Sequence, residues 1–183
     1  MSEWLDRFNL TARLIQKCQY SEALQILNEL EPTIRAQPEL TPNTFVLFEV
    51  RRATLCSSLE MQEESMARFQ SAMKIAFHEV QDPIEVQSVA KKTLDTISEW
   101  GEWKLLHTIA TNLINFAQQQ NMPLISVTAA WYLPYAFRGL GQLDQAREHA
   151  VAILERLEQS DSDDGVDGWR EFIALLDDGE KDA

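Results

Sequence analysis

Eight side chains stand out as able to grip another molecule: Asn9, Arg51, Lys91, Lys92, Trp131, Tyr132, Tyr135 and Arg138. Arg51, Lys91, Lys92 and Arg138 suit acidic side chains or a terminal carboxylate, which cations hold through charge-assisted hydrogen bonds. Trp131, Tyr132 and Tyr135 offer rigid contact area of the kind that dominates binding hot spots. Each type also has a plainer use. Aromatics at helical spacing fill cores, and cation pairs such as Arg51-Arg52 and Lys91-Lys92 meet nearby acids on solvated faces.

Reactive chemistry has less to work with. His78, His107 and His149 lie far apart, and none forms an i, i+4 pair with another His, a Cys or an acid cluster, so no metal site is expected. No glycine-rich phosphate loop, Gly-x-Ser-x-Gly elbow or paired-cysteine motif occurs. The run Asp161-Ser162-Asp163-Asp164-Gly165 has the acids of a calcium loop, but Phe172 stands where the bidentate Glu would be. It reads as a solvated acidic linker. The chain is thus expected to bind without catalysing, and to carry no cofactor.

The elements that must position the eight residues follow from a repeat. Tyr20-x-x-Ala23-x-x-x-Leu27-x-x-Leu30 returns as Gln62, Ser65, Phe69, Ala72, then as Trp103, Leu106, Ala110, Leu113 and as Leu143, Ala146, Ala150, Ile153. The second positions are 42, 41 and 40 residues apart. A fixed period in this range marks stacked helical hairpins, each unable to cover its apolar face alone. Hairpins are expected over 3–31, 44–80, 84–120 and 124–158. Pro32, Pro38 and Pro42 make 32–44 a long connection, and Thr41-Pro42 and Asp82-Pro83-Ile84-Glu85 are helix starts. Pro134 falls inside the run 124–140 and predicts a kink. Trp169, Phe172, Ile173, Leu175 and Leu176 form a short capping helix over 166–176, and 177–183 is a frayed acidic tail. The fold expected is one all-α, right-handed α-solenoid of about four antiparallel hairpins with a C-terminal cap.

The fourth unit resembles a tetratricopeptide repeat through Leu133, Phe137, Gly141, Leu143, Ala146 and Ala150; the first does so through Leu10, Leu14, Tyr20, Ala23 and Leu27. The likeness runs from about Trp4 to Leu157. The period exceeds the usual length of about 34 residues. Longer repeats occur in kinesin light chains and some bacterial regulators, to which this chain is similar in period. Arg52 and Gln62 stand in slots that are normally apolar. The resemblance implies that the first helix of each hairpin lines a concave peptide groove. Asn9, Arg51, Lys92 and Tyr132 then share one groove-facing slot. Phe8, Val50, Lys91 and Trp131 take the slot before, and Ala12, Thr54, Asp95 and Tyr135 the slot one turn later. The groove would be basic in the middle and aromatic at its C-terminal end. The family's carboxylate clamp is absent, since Leu5-x-x-x-Asn9 and Lys91-x-x-x-Asp95 do not match it.

Composition narrows the partner. The net charge is −13, and from Glu158 onward ten acids face only Arg170 and Lys181. Nucleic acid and anionic membrane both need concentrated cations and are not expected partners. No apolar run approaches the ~20 residues of a membrane span. The N-terminus shows no signal peptide, so a cytoplasmic protein is expected, with Cys18 and Cys56 as buried free thiols. The favoured role is a scaffold or adaptor binding a peptide segment of another protein. A dedicated chaperone or secretion-system partner and a ligand- or peptide-sensing regulatory domain stay open beside it. A homodimer through the N-terminal face, at Trp4 and Phe8, is also open.

Overall fold

Helix follows helix along the described chain, and the two helices of each hairpin are joined by a short turn. The structure is a computed structural model and describes residues 3–37, 40–160 and 165–179. Among these residues there is no strand. The helices are α1 (Glu3–Gln16), α2 (Tyr20–Arg35), α3 (Pro42–Ser58), α4 (Gln62–Ile75), α5 (Pro83–Glu99), α6 (Trp103–Gln119), α7 (Pro123–Ala130), α8 (Leu133–Gly139), α9 (Leu143–Gln159) and α10 (Val166–Gly179). A π-helical turn, Ala76–Val80, extends α4. The fold is all-α and built of helical hairpins, with α10 after the fourth. No described helix is long and apolar enough to cross a membrane.

The repeat positions are the inner face of the second helix of each hairpin. Ala23, Leu27 and Leu30, then Phe69 and Ala72, then Leu106, Ala110 and Leu113, then Ala146, Ala150 and Ile153 are all buried. Ser65 occupies the small-residue slot of the second hairpin. It is fully buried, and its hydroxyl donates to the Ala53 carbonyl at 2.8 Å, which settles its polar atom.

A second periodicity lies in the backbone. Cys18, Glu60, Gly101 and Gly141, each in the turn between the two helices of a hairpin, all have positive φ, between 57° and 73°. At three of these turns the next residue's N–H reaches back five positions: Gln19 to Leu14, Met61 to Cys56 and Gln142 to Phe137, at 2.8–2.9 Å. This is the Schellman closure, which needs one left-handed residue just past the helix. Glycine supplies it at two of the four turns. An L-residue pays roughly 1 kcal/mol to hold that conformation. Glu60→Gly should therefore stabilise the protein by about 0.5–1 kcal/mol, seen as a higher urea midpoint at unchanged slope. An unchanged or lower midpoint would count against strain at this turn.

The chain forms two compact units, divided within α5 between Val89 and Ala90. In the first, α1 packs on α2, α2 on α3 and α3 on α4. Its core gathers Phe8, Leu14, Leu24, Leu27, Leu30, Ile34, Phe48 and Leu55, with Trp4 and Tyr20 at the margin. Helix α2 runs past Pro32 to Arg35, further than the prolines suggest. Ile34 is buried at 1% exposure, and Glu31 pairs with Arg35 one turn on at 2.8 Å, so packing outweighs the lost backbone donor. In the second unit, α7 and α8 both pack on α6, α9 on α8 and α10 on α9.

Several expectations change. Cys18 is exposed, because it sits in the left-handed turn rather than on the apolar stripe; Cys56 is buried, and both are free. Phe8 is buried and closed over by Arg51, so it offers no surface for pairing two chains. Pro134 does more than kink a helix: the run 124–140 breaks into α7 and α8 around Trp131 and Tyr132. Helix α10 runs to Gly179, so residues 177–179, expected in the frayed tail, are helical; Asp161–Asp164 of the acidic linker and the rest of the tail from residue 180 lie outside the described residues, as does Pro38.

Candidate functional site

Helix α7 begins with Pro123 in its first turn and buries Ile125 and Ala129 toward α6. The ring of Pro134 crowds the turn before it and offers no N–H, so the helix stops and restarts at Leu133, with Pro134 in the first turn where no donor is needed. The outer residues of α7 and α8 follow one another in sequence across the break. Leu124, Val127, Trp131 and Tyr135 are spaced by three or four residues and are 48%, 47%, 37% and 41% exposed.

Aromatic side chains from α10 stand behind Trp131 and Tyr135. Trp131 meets Trp169 edge-on, with centroids 6.1 Å apart at 89°. Tyr135 lies 5.6 Å from Trp169 and 4.9 Å from Phe172. Trp169 and Phe172 are themselves buried. The result is a rigid aromatic platform with two rings half in water. Arg138 closes its end, with the guanidinium carbon 5.6 Å from the Phe172 centroid. Among the described residues no carboxylate pairs with Arg138.

The part of the chain that carries Trp131 and Tyr135 is also free of formal charge. From Leu105 to Phe137 the chain has no Asp, Glu, Lys or Arg, although a quarter of all its residues are charged. That stretch forms all of α7 and all but the ends of α6 and α8, where Lys104 and Arg138 stand; α7 and α8 both pack on α6. An uncharged, partly apolar face on a chain of net charge −13 is unusual on a surface exposed only to water.

The other candidate residues have partners inside the fold. The Arg51 Nη1 group donates to the Phe8 carbonyl at 3.0 Å and to Thr11 Oγ1 at 3.2 Å, with the guanidinium carbon 4.0 Å from the Phe8 centroid. Burial draws its pKa below the usual guanidinium value. The Tyr132 hydroxyl donates to Asp95 Oδ1, and Lys91 Nζ donates to Asp95 Oδ2 at 2.8 Å. Burial and the Asp95 carboxylate together push the Tyr132 hydroxyl well above the ordinary phenol range. Arg51 and Tyr132, which share a repeat slot, thus do the same job: each ties its helix to the hairpin before it. Asn9 is exposed and Lys92 half-buried. Asn9 and Arg51 belong to the first unit and the remaining six to the second. The structure brings Trp131, Tyr135 and Arg138 together. Trp169 and Phe172, which complete the platform, read in the sequence as cap residues only. Their i, i+3 spacing was the available signal.

Among the described residues no group of three His, Cys, Asp or Glu is placed to hold a metal ion. His107 and His149 flank Phe137, with centroids 4.9 Å and 5.1 Å from it.

No protein-family model matches the chain, and no curated protein matches it. Among solved structures, the crystal structure of the apo form of RapI is similar, with a TM-score of 0.79 and 10% sequence identity. The alignment covers 98% of this chain and 49% of RapI, so the chain spans about half the length of that structure. At this identity the likeness establishes a shared helical-repeat fold.

Proposed function

We propose that this chain is a tetratricopeptide-like interaction module that binds a segment of another protein without catalysing a reaction. The observation that carries this reading is the uncharged stripe Leu124–Val127–Trp131–Tyr135, half exposed and backed by buried Trp169 and Phe172. Rigid aromatics that are already held in place lose little freedom on binding, which is why they recur as hot spots. The fold shared with RapI suits such a role, and the net charge of −13 disfavours a polyanionic partner.

The test compares immobilised wild-type chain with a Trp131→Ala, Tyr135→Ala variant in lysate of the native host. Both residues are more than a third exposed, so the variant should keep its far-UV circular dichroism. One protein retained in stoichiometric amount by the wild type and lost from the variant is the expected result. Truncating two hot-spot aromatics should weaken it at least 30-fold, about 2 kcal/mol. Identical retention on both resins would remove this face from the function.

A further inference from the structure

We infer that the α7–α8 face receives an amphipathic helix of another protein, whose apolar side packs along Leu124, Val127, Trp131 and Tyr135 and whose end carries an Asp or Glu facing Arg138. This rests on the reading of that face as the binding site.

Three observations select a helix with an acidic end. The first concerns backbone hydrogen bonds. Leu124 and Val127 lie on α7 and Tyr135 on α8, helices that pair their main-chain groups internally away from the break at Trp131 and Tyr132, and Thr128 Oγ1 donates to the Leu124 carbonyl at 2.9 Å, which leaves the Tyr135 hydroxyl as the polar group of the stripe itself. An extended peptide laid here would find almost nothing to bond its main chain, whereas a helix arrives with its main chain already paired. The second is length. The stripe runs over the eight residues of α7 and the seven of α8, each helix roughly 10–12 Å long at helical rise. A partner helix of about four turns is as long as the two together, and seats its ridges between the side chains of the stripe. The third is charge. The stretch Leu105–Phe137 has no formal charge to satisfy, so the covering face must itself be uncharged. Arg138, at the end of the stripe and without an ion pair among the described residues, is a point where an opposite charge is welcome. It fixes which way the helix lies.

The probes are amidated, fluorescein-labelled peptides of fifteen or so residues on an Ala/Gln background, with Leu at i, i+3, i+7 and i+11. They carry Glu in the first turn, Glu in the last turn, or Lys in either place, and a further set has Pro at the centre to prevent helix formation. Fluorescence anisotropy against the full chain should show one Glu-ended helix binding best, and its Pro-broken form at least tenfold weaker. Arg138→Glu, a change at an exposed site, should weaken that peptide about fivefold and favour its Lys-ended counterpart by a similar factor. Equal affinity of helical and Pro-broken peptides, or indifference to Arg138→Glu, overturns the inference. If the Trp131→Ala, Tyr135→Ala variant still loses those peptides, the binding face itself stands. Should no peptide show binding that depends on Trp131 and Tyr135, face and inference fall together. A dimer in sedimentation that this same variant dissolves would give the face to a second copy and overturn the inference as well.

Discussion

Arg52→Met should destabilise the protein by about 3 kcal/mol, lowering the melting temperature by roughly 6–12 °C. Arg52 is only 4% exposed on α3. Its Nη1 lies 2.7 Å from Glu31 Oε2, and its Nη2 donates to Asn28 Oδ1 at 2.8 Å. Glu49, one turn earlier and 2% exposed, shares the same pocket of charge with Arg35 and Arg68, at 3.3 and 3.6 Å. Removing one partner from a buried ion cluster strands the rest, which usually costs about 3–5 kcal/mol; the remaining arginines place this case at the low end. The cluster is imperfectly paired even when intact. Glu49 Oε2 and Arg52 Nε have no hydrogen-bond partner among the described residues, and Arg52 Nη1 meets Glu31 at 2.7 Å as an ion pair without full hydrogen-bond alignment.

The pH dependence has a definite sign. Burial holds the Glu49 carboxyl above the usual carboxylate range, although the charges of Arg68, Arg52 and Arg35 oppose it. Burial opposes ionisation of Glu31 too, but there hydrogen bonds from Arg35 and the charge of Arg52 prevail, and its carboxyl lies below that range. Taking away the Arg52 cation raises both carboxyls. The folded variant then binds more protons than the folded wild type across the acid range, while the unfolded chains scarcely differ. The deficit should therefore grow as pH rises from about 5 to 8. Urea denaturation of both proteins at the two pH values checks this. A deficit that is larger at pH 5 would mean the carboxylates gain nothing from Arg52.

Gly139→Ala is the second change expected to act strongly, against the usual preference for alanine in a helix. Gly139 is the last residue of α8 and sits against the indole of Trp103, which opens α6. A Cβ on Gly139 would lie 2.2 Å from the Trp103 Cγ and Cδ2 atoms and 2.5 Å from Cδ1. These atoms belong to the root of the ring, so no small swing of a side-chain tip relieves the clash. Alanine would otherwise gain up to ~1 kcal/mol over glycine within a helix. Overpacking of this severity costs ~1–3 kcal/mol or more, so the net effect should be a loss of about 2 kcal/mol. Adding Trp103→Ala should abolish the penalty: the double variant should be no less stable than Trp103→Ala alone. If Gly139→Ala is still harmful without the indole, the cause lies elsewhere.

Much of the architecture was legible because the repeat writes its core in plain periodicity. Ala23, Leu27, Phe69, Leu106, Ala110, Ala146 and Ala150 recur at fixed intervals and are all buried. What escaped was whatever depends on contacts between segments far apart in sequence. Arg52 looked like a fault in an apolar slot, since nothing local showed that Glu31, Asn28 and Glu49 would converge on it. Arg51 and Tyr132 looked like groove residues, because their slot is right for one and their reach to Phe8, Thr11 and Asp95 crosses more than thirty residues. Gly139 shows nothing in sequence of its role, which is close approach to a ring. Cys18 and Glu60 gave no sign of left-handed backbone, since neither is the glycine that would announce it.

The missing charge between Leu105 and Phe137 also governs how the molecule behaves in company with its own kind. A chain of net charge −13 repels its copies, and that repulsion keeps a bare patch from sticking to another bare patch. The shield is electrostatic and so depends on the medium: its range is about 8 Å at physiological ionic strength and ~3 Å in molar salt. Concentrated brine strips this protection while leaving the sticky surface intact. Solubility and recognition are thereby set by the same stretch of sequence, one through the acids it lacks and the other through the rings it displays.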